Sequence, residues 1–160
     1  MSFLSIDPGL RGCGVAIFTD SNSLARATYV KNFDTQGRGA KAWAEMARAV
    51  FEYVGMRLPL VIETQIYRPV ADTPARVASI LEVQGVAGAV VGLCSSGVLA
   101  SYLPSEWKGT IKGDVITQRI LDALGKLEHF ESKGKTVDHN TVDAIGIGLV
   151  WSKRKGRGIV

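Results

Sequence analysis

Three acids stand where an apolar context makes them expensive. Asp7 closes the run Phe3-Leu4-Ser5-Ile6, Glu63 closes Leu58-Pro59-Leu60-Val61-Ile62, and Asp143 sits inside Val142-Asp143-Ala144-Ile145-Gly146-Ile147-Gly148-Leu149-Val150. A carboxylate in such a setting is costly unless it is paired or bound to a cation. On a helix, Asn140 and His139 would share the face of Asp143, three and four residues before it. Three carboxylates with an amide or imidazole suit hard cations such as Mg²⁺ or Mn²⁺ better than structural zinc. Two such ions can clamp a phosphodiester, one activating water and the other stabilising the leaving oxygen. Each acid also has a plainer reading. Asp7 can cap the Pro8-Gly9 turn, Glu63 can pair with Arg68, Asp143 can face solvent, and His139 can be an ordinary surface residue.

The elements that would position these acids follow in order. Phe3–Ile6 and Gly14–Phe18 are expected to pair as a hairpin around a loop carrying Gly9 and Gly12. Leu24 to Val30 gives a third strand. Ala40 to Val54 has helical periodicity, with Trp43, Ala47, Val50, Phe51 and Val54 on one stripe and Gly55 as the stop. Leu58 to Glu63 is a fourth strand. Asp72-Thr73-Pro74 then opens a small-residue helix that runs to about Cys94 and is expected to be buried. Val98 to Leu103 is a fifth strand, followed by a basic loop from Pro104 to Gly113, a helix capped by Asp114, and a last helix from Asp138 to Trp151. Three strands, then alternating helices and strands, predict an α/β fold: a mixed five-stranded sheet flanked by helices. Residues 1–152 form one domain, with 153–160 as a basic mobile tail.

Composition sets the bounds. At 160 residues the chain is long enough for a real core, and its net charge of +4 leans toward a polyanionic partner. Cys13 and Cys94 have no metal-ligand spacing and read as small apolar residues of a reduced, intracellular protein. Glu82 and Gln84 interrupt the run from Val77 to Cys94, so no membrane span is expected.

The chain resembles the RuvC-type Holliday junction resolvases of the ribonuclease H-like nuclease superfamily. The likeness rests on Ile6-Asp7-Pro8-Gly9 with Gly12 and Gly14, on Val61-Ile62-Glu63 before an aromatic-bearing loop, and on Asp143-Ala144-Ile145-Gly146-Ile147-Gly148. Gln84-Gly85-Val86 and the Pro104–Gly113 loop are similar as well. The resemblance implies a ribonuclease H-like fold and a homodimer that nicks opposing strands of a four-way DNA junction with Mg²⁺ or Mn²⁺, two ions per site. It makes Asp7, Glu63 and Asp143 metal ligands. The family's fourth ligand, an Asp or His, falls at Asn140; either its amide oxygen serves or the neighbouring His139 does. Tyr67 is similar to an aromatic that stacks on a junction base. Lys108 and Lys112 match a phosphate-facing loop, and Arg68 and Arg76 are further DNA-binding candidates. The implied setting is cytoplasmic and nucleoid-associated, in a cell or a phage. Rival readings are a YqgF-like RNA-processing nuclease, a non-catalytic junction binder, and an actin-type ATPase, for which 160 residues are too few.

Overall fold

The computed structural model describes residues 1–31, 39–55, 57–66, 73–111, 113–124 and 138–156. Its strands are β1 (Phe3–Asp7), β2 (Gly12–Phe18), β3 (Leu24–Lys31), β4 (Leu60–Glu63) and β5 (Val98–Tyr102). Its helices are α1 (Ala40–Val54), α2 (Pro74–Leu93), α3 (Pro104–Trp107), α4 (Gly113–Leu124) and α5 (His139–Gly156). The sheet order is β3-β2-β1-β4-β5, a mixed sheet of the kind expected. β1 pairs antiparallel with β2 and parallel with β4, and β4 pairs parallel with β5. Ile6 sits opposite Ile62, so the next residues, Asp7 and Glu63, end neighbouring strands at one edge.

Both sheet faces are covered, which is why β1 and β4 are buried throughout and read as continuous apolar runs. One face meets α1 and α2 through Met46, Val50, Val86 and Val90; the other meets α4 and α5 through Ile120, Ile145 and Ile147. Phe3 and Phe18 stack at 4.7 Å on the α5 side, with Trp151 tilted against Phe3 at 4.3 Å. Gly148 admits this packing, since a Cβ there would lie 2.1 Å from the Phe18 ring.

Three expectations are corrected. The last helix continues past Trp151 to Gly156, so Lys153, Arg154 and Lys155 belong to α5 and not to a tail. Arg154 and Lys155 lie over the rings of Tyr102 and Trp151, contacts that reward the extra turn. The loop after β5 opens with α3: Pro104 occupies its first turn, and the Glu106 carboxylate accepts from the Leu103 N–H at 2.6 Å. Finally, α2 is not a buried helix. Only Ile80, Val86, Ala87 and Val90 are buried, while Leu81, Val91 and Leu93 are exposed. By length and composition alone α2 would suit a membrane span, contrary to expectation, yet its inner side belongs to the sheet core. Trp43 packs as expected: its indole N–H donates to Glu82 at 2.7 Å, and its ring occupies the space Gly85 leaves.

The cysteines differ from each other. Cys13 is fully buried in β2, and burial pushes its thiol up to about 12. Cys94 caps the C-terminus of α2 and is partly exposed, its thiol donating to the carbonyls of Leu58 and Gly97. Iodoacetamide at pH 8 is therefore expected to modify Cys94 in the native protein and Cys13 only after unfolding, read by mass spectrometry.

Candidate active site

The parallel pairing of β1 with β4 sets Asp7 beside Glu63, and α5 lays Asp143 across them. Two features bring α5 this close. Gly14, opposite Asp7 on β2, has no side chain, and an added Cβ would stand 1.8 Å from the carbonyl oxygen of Asn140. One strand residue before Ile6, the buried Ser5 hydroxyl donates to the Ala144 carbonyl at 2.7 Å. Both contacts flank Asp143 on its helix.

The three acids feel one another. Burial raises the Asp7 carboxyl well above its usual range, and the charges of Glu63 and Asp143 raise it further, against a smaller opposing effect of Lys108. Asp7 is 7% exposed and Glu63 3%. Glu63 is also raised, first by burial, while the Trp107 indole and Lys108 act the other way and Asp143 reinforces the rise. This is the electrostatics of a site short of positive charge. The donor set, three carboxylates with no thiolate, fits a hard divalent cation by its chemistry.

Two residues of the α3 segment partner the acids. The Trp107 indole N–H donates to Glu63 Oε2 at 2.7 Å, and Lys108 Nζ forms an ion pair with Asp143 Oδ2. Trp107 reaches this position because Gly146 on α5 leaves room: a Cβ there would sit 2.5 Å from its ring. The sequence shows Trp107 as a tryptophan in the basic Pro104–Gly113 loop, but nothing in its spacing marks it as a partner of Glu63.

The other predicted residues divide. Asp138 is the cap of α5, its carboxylate accepting from the Asn140 N–H at 2.9 Å. The Asn140 side-chain N–H₂ donates to the Gly12 carbonyl at 3.3 Å, tying α5 to the first residue of β2. His139 is exposed and lines an open cleft of about 640 Å³ together with Gly9, Arg11, Gly12 and Tyr29. Arg76 lies in the first turn of α2, where its backbone N–H meets the Thr73 hydroxyl. Tyr67, Arg68 and Lys112 lie outside the described residues. The Gln84 amide donates to the Gln65 carbonyl, which anchors the segment following Glu63 to α2.

No protein-family model and no curated protein matches the chain in sequence. Solved structures do. Thermus thermophilus RuvC in complex with a Holliday junction substrate superposes with a TM-score of 0.67 at 20% identity, over 98% of this chain and 96% of that one. A second structure of Thermus thermophilus RuvC gives a TM-score of 0.58 at 18% identity, over 98% and 97%. The yeast mitochondrial Holliday junction resolvase Ydc2 gives 0.66 at 14% identity, over 97% of this chain and 79% of that one. Sheet order, helix placement and these superpositions agree: the chain has the ribonuclease H-like fold of the RuvC-type resolvases.

Proposed function

We propose that the chain is a Holliday junction resolvase, a metal-dependent endonuclease that nicks opposing strands of a four-way DNA junction. The observation that carries this reading is the meeting of Asp7, Glu63 and Asp143 at the β1–β4 edge under α5, on a fold shared with a RuvC seen with a junction substrate. Asp7, Glu63 and Asp143 would hold Mg²⁺ or Mn²⁺, with Asn140 or His139 beside them. When bound, the ions supply an activated water and charge stabilisation for the leaving oxygen. The protein's own part is to hold the acids rigidly. Asp7 and Glu63 come from core strands, and Asp143 from a helix fixed by Ser5, Gly14 and the Asn140–Gly12 bond. The net charge of +4 favours a polyanion through phosphate contacts.

Paired nicks require paired sites, and the exposed side of α2 suits a second copy of the chain. Leu81 is 60% and Leu93 49% exposed, and a Cβ at Gly88 or Gly92 would meet nothing within 4 Å. An apolar helix face with such gaps accepts a partner helix closely. Light scattering is expected to give a dimer for the wild type and a monomer for Leu81→Glu.

The reading is tested by cleavage of a four-way junction against linear duplex and RNA of equal sequence, with Mg²⁺ and then Mn²⁺. Symmetric nicks confined to the junction are expected. Tight junction binding without cleavage by the wild type would leave an inert binder, and cleavage of the RNA alone would indicate an RNA-processing enzyme.

A further inference from the structure

The acid cluster already carries a cation of its own. Lys108 Nζ pairs with Asp143 Oδ2, the two side chains being 23% and 15% exposed. The same ammonium lies 4.6 Å from the centre of the Trp107 ring, whose N–H holds Glu63. Lys108 caps α3, its backbone N–H bonded to the Pro104 carbonyl, so its stem starts from a fixed point. Its charge acts on Asp7 and Glu63 as well as on Asp143. Among the described residues, no three His, Cys, Asp or Glu side chains are gathered tightly enough to chelate an ion as they stand. An ion shared by the three acids would meet the ammonium that Lys108 places on the Asp143 carboxylate, and two cations at one carboxylate repel.

Building on the metal-nuclease reading above, we propose that Lys108 is the resident counter-ion of this site, and that a divalent ion binds by displacing its ammonium from Asp143. The pairing compensates one of the three acids in the metal-free protein, which lessens the cost of burying their charge together. The exchange releases a flexible point charge beside the metal, where a phosphate oxygen is its natural next partner.

The test is titration of the DNA-free protein with Mn²⁺ alone, followed by calorimetry, for the wild type, Lys108→Met and Lys108→Arg. Methionine keeps the length of the stem and removes the charge, so Lys108→Met is expected to bind Mn²⁺ about tenfold more tightly, within the usual range of site coupling. Lys108→Arg, permanently charged, is expected to bind no more tightly than the wild type. A second measurement needs no variant. Pulse acylation of the wild type, read by mass spectrometry, should label Lys108 faster when Mg²⁺ is present, with the other lysines unchanged. Equal Mn²⁺ affinity in wild type and Lys108→Met, or Lys108 labelling indifferent to Mg²⁺, overturns the exchange. If the wild type still cuts junctions with Mg²⁺ in that event, the nuclease assignment stands alone; a wild type that neither binds Mn²⁺ nor cuts junctions overturns both.

Discussion

Asp7→Asn is expected to abolish junction cleavage, by about a thousandfold or more, while junction binding measured by gel shift stays within a few-fold of wild type. The magnitude follows from the several kcal/mol that a metal ion supplies to the transition state, about 1.4 kcal/mol being tenfold in rate. Asparagine keeps the shape of aspartate but not its charge, so the strand end, the Gly14 pairing and the packing of α5 are preserved. The same substitution has a second consequence. Burial and the charges of Glu63 and Asp143 raise the Asp7 carboxyl above its ordinary value of 3.8, so the folded state holds a proton that the unfolded chain has released. The folded state then binds more protons than the unfolded one between those two values, and metal-free stability falls as pH rises through that window. Asp7→Asn removes the loss. Its melting temperature should match the wild type's below the unfolded value, exceed it increasingly as pH rises, and level off above the folded value. Each kcal/mol is worth about 2–4 °C for a chain of this size. Mg²⁺ should reverse the ranking by stabilising the wild type more than the variant. A variant that cuts junctions at near wild-type rate would remove Asp7 from the chemistry and with it the metal-site reading.

The fold was legible because its local signals and its burial agree. β1 and β4 are short apolar runs ending in acids, α1 carries a clean stripe ended by Gly55, and Thr73-Pro74 starts α2 as that dipeptide should. Glycine near Asp7 was also visible, but its purpose was not. Gly9 to Gly14 reads as a tight return between two strands, whereas Gly14 serves a contact with Asn140, 126 positions farther along the chain. Periodicity carries no information on such an approach, since it reports the side a residue faces and not what arrives there. Trp107 and Gly146 illustrate the same limit: one bulky and one absent side chain, neither diagnostic alone, together deliver an indole N–H to Glu63.

Errors at the ends of elements have a common cause. Lys153 to Lys155 look like a solvated tail because charge runs usually are, yet positive charge in a last helical turn favours the helix, and Tyr102 and Trp151 provide faces for two of the cations. In α2 the expectation of burial came from hydrophobicity itself. Hydrophobic residues predict that a surface is covered, not that the same chain covers it, and the exposed leucines of α2 mark that difference.

Gly14→Ala is the second large effect, and it separates the scaffold from the chemistry. The added methyl would stand 1.8 Å from the Asn140 carbonyl oxygen, 2.1 Å from its carbonyl carbon and 2.7 Å from the Thr141 nitrogen. Those are backbone atoms of the first turn of α5, so no rotamer change relieves the overlap and the helix itself must move. Overpacking of a core costs typically about 1–3 kcal/mol, and a collision with backbone belongs at the upper end or beyond. The melting temperature should fall by about 6 °C or more. Because the yielding element carries Asp143, cleavage should fall further than the loss of folded protein explains. Asp143 would withdraw from Asp7 and Glu63, and Mn²⁺ affinity would weaken with it. Ser5→Ala offers the contrast. It removes the 2.7 Å bond to the Ala144 carbonyl but inserts nothing between β1 and α5, so it should cost about 1 kcal/mol and leave cleavage per folded molecule close to wild type. Measured side by side, the pair tests whether the gap at Gly14 sets the distance between α5 and the acids. Equal activity losses in the two variants would place that control in the tether from Ser5 instead.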